Sequence, residues 1–493
     1  MLNQHLPILL VVVPLLAAPV IVLLRHSLPS WLMATVASIA TLAIALQLHQ
    51  QVVSEGVISY AIGNWPPPLG IEYRVDAANA FVAVIVALIG VFVMPYCRRG
   101  VAPEVRAEEH YLFYAMLMLC LSGLLGILLT GDAFNLFVFL EISSLATYVL
   151  IAMGRDRRAL VASYQYLLMG TVGATLYVIG IGLLYLQTGT LNLADMALRL
   201  PTMGDPRATL AALAFITVGI SLKIALFPLH LWLPNAYAYS PSAVSAFLAA
   251  TATKVSIYVL MRYFFTIFGE TVVFDARHTG VILLALSLAA MFIPAVVAIF
   301  QTDVKRLLAY SSVSQIGYIT LGISLHSVGG LTAALAHLFN HALTKGGMFL
   351  VLGGVVLRLG GSALDRMAGL GRTMPIAAFA FVIGGLSLIG IPGTAGFVSK
   401  WYLVTAAMEE GQWWLAGAVM LSSMLAVIYV WRFVEMAYFR DPPEGHPPPG
   451  EAPLSLLLPA LLMIAACVWF GLDASWSGGM ARLAAEALAG GWK

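Results

Sequence analysis

Charged residues are scarce in this sequence. Asp, Glu, Lys and Arg make up 10% of its 493 residues, and hydrophobic residues make up 61%. A soluble domain carries about 25% charged residues, so this composition excludes the soluble globular class. The mean hydropathy of +0.94 indicates an integral membrane protein. The net charge of +2 gives no sign of nucleic-acid binding.

Cysteine is scarce as well. Cys97, Cys120 and Cys467 lie far apart and form no CxxC motif. Neither a disulfide framework nor an iron–sulfur or zinc site is indicated. The sequence therefore predicts no bound cofactor and no metal, and any redox chemistry is expected in another subunit.

Apolar stretches long enough to cross a bilayer are abundant instead. Fourteen of them occur, at 7–24, 31–48, 78–97, 111–130, 133–153, 160–187, 208–227, 241–268, 279–300, 306–325, 330–358, 374–391, 413–439 and 453–471. The first lacks the basic region and cleavage site of a signal peptide, so we expect it to be a retained helix. These stretches predict an all-α, multi-pass integral membrane protein with about fourteen transmembrane helices.

Lys and Arg are distributed unevenly over the connections. Thirteen follow odd-numbered stretches: Arg25, Arg98, Arg99, Arg106, Arg155, Arg157, Arg158, Lys305, Arg306, Arg358, Arg366, Arg372 and Arg440. Six lie in the other connections or at the chain ends: Arg74, Arg199, Arg207, Arg277, Arg482 and Lys493. Because cytoplasmic loops carry the excess of Lys and Arg, we predict both termini outside.

The remaining basic residues fall inside apolar stretches: Lys223, Lys254, Arg262, Lys345, Lys400 and Arg432. We expect Arg262 and Arg432 to snorkel to the membrane surface. Lys223 lies in GISLKIALFPLHLWLP, where two prolines interrupt the helix. Lys400 follows a second interruption in LSLIGIPGTAGFVSKWYL. The spacing of that glycine-rich run does not fit the phosphate loop GxxxxGK[ST], so we discard this interpretation.

The two interrupted stretches are the seventh and the twelfth. An offset of five spans reverses orientation, so we predict two inverted five-helix units, at 111–268 and 279–439, each with one broken helix. Three helices within 1–110 precede them, and a last helix at 453–471 follows. Paired interruptions in two halves indicate a transport site. Gly and Pro are common in membrane helices, which explains either break alone but explains their pairing with two lysines less well.

A carboxylate lies near the middle of the fifth stretch. Glu141 follows Asp132 by nine residues, which places it about 13 Å deep in a hydrocarbon core about 30 Å thick. An ionised side chain there costs roughly 2.5–3.5 kcal/mol, so it needs a cation, water or a proton. The alternative is a structural glutamate satisfied by one hydroxyl, and the buried lysines favour a functional one.

Further ionisable groups lie between the two breaks. Lys254 is thirteen residues past Pro241, about 20 Å into its helix. His337, His341 and Lys345 recur every four residues and share one helix face. The two histidines resemble half of a zinc motif, but no HExxH glutamate and no third ligand is near. We interpret these groups as a chain that accepts and releases protons.

Five motifs carry a family resemblance: FNLFVFLE, SLKIALFPLHLWLPNAY, KRLLAYSSVSQIGY, HLFNHALTKG and PGTAGFVSKW. In this order they resemble the antiporter-like subunits shared by complex I, membrane-bound hydrogenases and Mrp-type cation/proton antiporters. The resemblance covers nearly the whole chain and implies fourteen helices with two inverted five-helix units. It implies these proton-pathway residues: Glu141 as the key glutamate, Lys223 as its partner, Lys254 as the bridging lysine, His337, His341 and Lys345 as the central relay, and Lys400 as the terminal charge.

Within that superfamily the short frame of the chain resembles the D-type subunits of Mrp antiporters. Lys400 departs from the glutamate of M-type complex I subunits, although N-type subunits keep a lysine there and hydrogenase subunits share much of the motif wording. The resemblance implies a non-enzymatic membrane subunit of a Na⁺ or other monovalent cation/proton antiporter. Its partners would be other membrane subunits, in a bacterial or archaeal cell membrane.

Three alternatives remain. One is a proton-pumping, non-redox subunit of complex I or of a membrane-bound hydrogenase. Another is a solute transporter, which should show a pocket of aromatic and polar groups instead of a line of Lys and His. The last is a purely structural subunit, which does not explain seven buried ionisable groups.

Overall fold

The computed structural model describes residues 2–203, 205–275, 279–442 and 450–491. Its α-helices are α1 Leu6–Leu24, α2 Ser27–Glu55, α3 Ala77–Gly100, α4 His110–Leu129, α5 Ala133–Ala152, α6 Arg157–Thr188, α7 Leu193–Met203, α8 Pro206–Ile224, α9 Trp232–Tyr239, α10 Ser242–Ala250, α11 Ala252–Met261, α12 Thr279–Ile299, α13 Val304–Ser324, α14 Val328–Leu359, α15 Leu370–Thr373, α16 Pro375–Ile389, α17 Ala395–Glu409, α18 Trp413–Val434, α19 Leu454–Leu472 and α20 Ser475–Ala489. Short 3-10 helices cover Leu2–His5, Ile62–Asn64, Ala107–Glu109 and Leu364–Met367, and π-helical turns cover Arg262–Ile267, Thr271–Asp275 and Glu435–Phe439.

The helices confirm the predicted fold class of an all-α membrane protein. Within the described residues, twelve helices are long and apolar enough to cross a bilayer. Each of the fourteen predicted stretches coincides with one helix or with a broken pair. The total of fourteen crossings and the division into two inverted units stay predictions.

Both predicted interruptions are present. The first separates α8 from α9 and the second separates α16 from α17. Ala225 ends α8 in the left-handed conformation at φ 60°, and Pro228 follows without an N–H to donate. Gly390 ends α16 at φ +90°, which glycine tolerates at no steric cost. A Cβ on Gly396 would collide with the carbonyl oxygen of Ser387, so the second break also needs glycine for close backbone approach.

A third interruption was not predicted. Thr251, at φ −125° and ψ −62°, separates α10 from α11 only three residues before Lys254. Neither Gly nor Pro marks this position, because the sequence around it reads SAFLAATATKVSIYVL. The signal that identified the other two breaks is therefore absent here.

The bundle has two distinct ends. The antiparallel strands β1 Ile58–Ala61 and β2 Glu72–Val75 lie at what we call the hairpin end, together with the beginning of α3. The opposite, arginine-rich end carries most of the basic connections: Arg98, Arg155, Arg158, Arg306 and Arg358. His5 contacts Tyr60 of β1, with Nδ1 3.0 Å from the hydroxyl oxygen, so the chain begins at the hairpin end. Which end faces the cytoplasm stays a prediction; of the residues in the charge count, Arg277 and Lys493 lie outside the described part.

The last helix, α20, was missed by the sequence analysis. It is too short and too polar to be recognised as a span. It buries a face of small residues, among them Gly478, Ala481 and Ala485, against α14 and α3. Small side chains permit this close approach between helices in a membrane.

Candidate functional site

The first predicted pair is brought together at the first break. Lys223 is the penultimate residue of α8, and its Nζ lies 3.6 Å from Oε1 of Glu141 on α5. The same Nζ donates a hydrogen bond to Ser144 Oγ at 2.7 Å. The Lys223 side chain is 3% exposed and that of Glu141 is 25% exposed. Because 3.6 Å exceeds direct hydrogen-bond length, the pair has room to separate or to share a water molecule.

A small cavity continues from this pair toward the next lysine. Its volume is about 20 Å³, and its polar lining comes from Ser143, Ser144 and Thr147 of α5, Lys223, and Ser256 of α11. About 10–15 Å³ suffices for one water when two to four polar partners are available. The cavity therefore fits a single water between Lys223 and the helix that carries Lys254.

Lys254 lies just beyond the third break and is 1% exposed. Its Nζ donates to the carbonyl oxygen of Ala249 and, at 3.3 Å, to Thr253 Oγ1. A helix end leaves carbonyl groups of its last turn without intrahelical partners. The end of α10 thus supplies the acceptor that this buried ammonium needs.

The three residues of the predicted α14 face are all buried. The rings of His337 and His341 stack with centroids 6.1 Å apart and planes within 5°. His337 contacts Gln315 Oε1 and Ser399 Oγ, each at 2.9 Å. Neither ring nitrogen of His341 has a hydrogen-bond partner among the described residues. Lys345 Nζ donates to Leu308 O at 2.9 Å and to Ser311 Oγ.

Lys400 lies directly beyond the second break and is 6% exposed. Its Nζ donates to Leu388 O at 2.9 Å, to Ile389 O at 3.0 Å and to Ser423 Oγ at 2.9 Å. It also lies 4.3 Å from the centroid of the Tyr318 ring. As at Lys254, the end of a helix, here α16, provides free carbonyl groups for a buried cation.

Three buried lysines share one property: Lys254, Lys345 and Lys400. Across the described ranges, no carboxylate oxygen lies within 4.0 Å of their ammonium groups. They are held by carbonyl and hydroxyl oxygens alone. Such a cation can lose its proton without leaving an unpaired carboxylate behind.

Two expectations about other basic residues were wrong. Arg262 does not snorkel: it is 2% exposed, and its Nη2 lies 2.6 Å from Asp76 Oδ2. Contrary to the prediction, Lys305 does not lie in a connection: it is the second residue of α13 and is 4% exposed, with its Nζ 3.9 Å from Glu104 Oε1. Arg432, half-buried, donates to the carbonyl oxygen of Gln301 in the connection after α12.

One further ionisable residue was overlooked within a quoted motif. His230 of the FPLH sequence lies in the first break, is 7% exposed, and stacks its ring on Phe227 at 5.3 Å. Its Nδ1 has no hydrogen-bond partner within the described ranges. The hydroxyl and amide partners at Ser144, Ser399, Gln315 and Ser423 carry no signal in the sequence, because only tertiary packing brings them to the charges. No group of three potential metal ligands occurs in the described part of the chain.

Comparisons with known proteins cover the whole chain. The family described as NADH:quinone oxidoreductase/Mrp antiporter, TM matches residues 130–426. The sequence is 42% identical to the N-type subunit of NADH-quinone oxidoreductase from Desulforudis audaxviator, over 95% of this chain and 96% of that one. It is 30% identical to the D-type subunit of the Na(+)/H(+) antiporter from Bacillus subtilis, over 98% and 96% of the two chains. The fold superposes on a chain of the Mrp complex from Dietzia sp. DQ12-45-1b with a TM-score of 0.90 at 27% identity, covering 99% and 98%.

Proposed function

The chain belongs to the NADH:quinone oxidoreductase/Mrp antiporter family of membrane proteins, and from this premise we propose that it is the D-type membrane component of a multisubunit Na⁺/proton antiporter. In this proposal it conducts protons along Glu141, Lys223, Lys254, His337, His341, Lys345 and Lys400. The chain itself performs no redox chemistry and holds no cofactor. Its partners are the other membrane subunits of the antiporter.

One observation carries this proposal: buried titratable side chains lie at both broken helices, at the third break and on the α14 face. A structural subunit gains nothing from burying lysines beside carbonyl groups, since each buried charge costs free energy. A solute transporter would need a pocket shaped for its substrate. The cavity that Lys223 lines has a volume of about 20 Å³, which holds a water molecule but no organic solute.

The first step of transfer begins at the Glu141–Lys223 pair. A lysine ammonium has three N–H groups. One donates to Ser144, and Glu141 lies 3.6 Å away, so another is available to a water in the adjoining cavity. When Glu141 takes up a proton, Lys223 loses its counter-charge and its own proton is released more easily. The released proton passes through the water toward Lys254.

The central step passes over the α14 face. His341 lies within electrostatic reach of Lys254 and Lys345, and His337 lies within reach of Lys400. Like charges repel strongly in a weakly screened interior, so protons cannot accumulate on adjacent members. The arrival of a proton at one member therefore drives release from the next. Because His341 has no fixed hydrogen-bond partner among the described residues, its ring can exchange with either neighbour through water.

A partner subunit is required at Glu141. This side chain is a quarter exposed on the surface of the described chain, although it lies near the middle of a transmembrane helix. A carboxylate at that depth is costly against lipid. We propose that another membrane subunit covers α5 here and controls when Glu141 approaches Lys223.

The alternative is a proton-pumping subunit of a redox-driven complex. The 42% identity to an NADH-quinone oxidoreductase subunit favours it. The proton path through this chain would be the same in both cases. The difference would lie in the partners, since the energy would come from electron transfer instead of from an existing ion gradient.

Reconstitution of the native complex separates the two proposals. The complex is purified through a tag on this chain, reconstituted into liposomes, and exposed to Na⁺ under an imposed pH gradient. An antiporter collapses the gradient on addition of Na⁺, Li⁺ or K⁺ without any electron donor. A complex that ignores these cations but moves protons when a reduced donor is added supports the redox alternative.

A further inference from the structure

A row of polar side chains extends from Lys254 toward the hairpin end. Lys254, Tyr258, Arg262 and Thr266 follow one another at intervals of four, so they share one face of α11 and of the π-helical turn that continues it. All four are buried, with exposures of 1%, 3%, 2% and 7%. Arg262 lies eight residues, about 12 Å, beyond Lys254 along the axis. The row therefore starts at the proposed proton path and leads away from it.

Arg262, the third residue of the row, forms a buried ion pair. Arg262 Nη2 donates to Asp76 Oδ2 at 2.6 Å, and both side chains are 2% exposed. Two other guanidinium nitrogens contact members of the row: Nε donates to the Tyr258 hydroxyl at 3.0 Å, and Nη1 donates to Thr266 Oγ1 at 3.2 Å. The carboxylate is fixed from the other side, because Asp76 caps α3 and accepts from the backbone N–H of Asn79 at 3.1 Å.

The guanidinium group of Arg262 cannot pass a proton along the row. A guanidinium holds its proton at every physiological pH, so a path that contains Arg262 has no member able to release one there. Its positive charge also opposes the approach of another cation, as arginines do in pores that exclude protons. Asp76 compensates the charge and so makes the burial of Arg262 tolerable. A residue that only anchored α11 to α3 would not need to be a cation on the helix face that carries Lys254.

We infer that the Arg262–Asp76 pair is a proton barrier that closes the direct route from Lys254 to the water at the hairpin end. The barrier directs protons from Lys254 sideways toward His341. This inference rests on the proposed proton path through Lys254. In the predicted orientation the hairpin end faces the outside, so the pair prevents external protons from entering at the middle of the path.

The test is the passive proton leak of liposomes that contain the whole native complex. An imposed pH gradient is followed with a trapped pH dye in choline salts, with the permeant anion thiocyanate dissipating the membrane potential and no Na⁺, Li⁺ or K⁺ present. The main variant is Asp76→Asn with Arg262→Gln, in which asparagine keeps the helix cap and glutamine keeps hydrogen-bonding capacity without charge. We expect the pH gradient to decay at least about tenfold faster than in the unmodified complex. Tenfold is the lower end of the change that a local electrostatic potential makes to the rate at which ions arrive.

A second variant is tested in case the complex with the first pair of substitutions does not assemble. Arg262→Lys keeps the positive charge and a partner for Asp76, but a lysine can release its proton. Because the retained charge still opposes protons, a barrier predicts a leak in this variant that is smaller than that of the neutral pair, whereas a simple anchor predicts none. The matched control is Asp195→Asn with Arg199→Gln, which removes a partly exposed ion pair in α7 with Nη2 and Oδ2 2.8 Å apart. No added leak is expected from it.

Adding Lys254→Ala to either leaky variant should abolish the extra leak, because the open route would start at Lys254. An assembled variant pair with wild-type leak, or a leak that survives Lys254→Ala, overturns the barrier. Neither result would contradict the proposed function. By contrast, normal antiport in the single variant Lys254→Ala would remove the proposed path, whatever the leak measurements give.

Discussion

The two broken helices hold their lysines in different ways. At the first break Lys223 has a carboxylate, Glu141, at 3.6 Å and a hydroxyl at 2.7 Å. At the second break Lys400 has two carbonyl oxygens, one hydroxyl and the face of Tyr318. The described residues place no carboxylate within 4.0 Å of Lys400. The first break therefore contains an ion pair, and the second contains a cation held by neutral groups.

If the proposed proton path is correct, this difference gives its two ends different triggers. The charge on Lys223 depends on whether Glu141 is ionised and close, so the first site responds to anything that moves or protonates that carboxylate. Lys400 has no such partner to lose. Its proton is displaced by a like charge that arrives on a neighbour, because repulsion is strong in a weakly screened interior. In the proposed path, a switch at one end and a responsive release group at the other would give proton transfer a direction.

The largest effect should follow from breaking the ion pair. Glu141→Gln keeps the shape of the side chain but leaves Lys223 without its counter-charge, and such a loss costs about 3–5 kcal/mol for a buried pair. We expect antiport to fall by more than about 100-fold, since each 1.4 kcal/mol is a factor of ten. Antiport is measured as Na⁺-dependent collapse of a pH gradient in vesicles.

A matched change elsewhere separates this effect from a general loss of acidic residues. Glu270→Gln removes a carboxylate that is 44% exposed and contacts His326, and it should transport like the unmodified protein. A Glu141→Gln or Glu141→Ala complex that assembles and transports at the normal rate would show that the first site is not a switch.

The next effect should come from Lys400→Arg. This change keeps the charge and much of the reach but replaces an ammonium that can release its proton by a guanidinium that cannot. We expect the complex to assemble and antiport to fall by about tenfold or more. Lys305→Arg is the control, because Lys305 is a buried lysine beside Glu104 and outside the proposed path. Full activity of Lys400→Arg would mean that the proton leaves elsewhere and that Lys400 is only a fixed charge.

A smaller effect tests the connection between the two regions. Ser256→Leu should fill the cavity of about 20 Å³ and displace its water without changing any charge. We expect a drop in antiport of roughly fivefold, which corresponds to about 1 kcal/mol, the net contribution of one hydrogen bond. Ser256→Ala enlarges the same space and should have little effect. Equal rates in the leucine and alanine variants would show that protons cross from Lys223 to Lys254 by another route.

The sequence was sufficient to find the charges and, through the family resemblance, the Glu141–Lys223 pair, but not the other partners. A lysine or glutamate within twenty apolar residues stands out, and Gly and Pro beside it mark a break, so Lys223 and Lys400 were predicted together with their interruptions. The break at Thr251 carries no such residue and was missed. Asp76 and Arg262 are 186 residues apart, and only the packing of α3 against α11 shows that Arg262 is paired instead of snorkelling.

The smallest effect should come from an ion pair outside the membrane, which sets a baseline for the comparison of the two buried sites. Asp156 caps α6, accepting from Arg158 N at 2.9 Å, and its Oδ2 lies 2.6 Å from Arg158 Nη2, with both side chains well exposed. The hydrogen bond from the Arg158 side chain holds the pKa of Asp156 below its ordinary value.

A carboxylate whose pKa is depressed on folding stabilises the protein above the ordinary pKa of aspartate, and this contribution is lost as the pH falls through the depressed value. Asp156→Ala should therefore lower stability at pH 7 by about 0.5–1 kcal/mol, through the lost cap and a surface pair of little strength. Asp156→Asn, which keeps a capping oxygen, should cost less. Thermal unfolding of the complex at pH 7 and in mild acid measures both, and the difference between unmodified and Asp156→Ala protein should shrink in acid.

Antiport at neutral pH should stay unchanged in either variant, because no proton on the proposed path passes this pair. A loss of transport comparable to that of Glu141→Gln would mean that the arginine-rich end takes part in proton delivery and that the contrast between the two breaks does not by itself explain the direction of transfer.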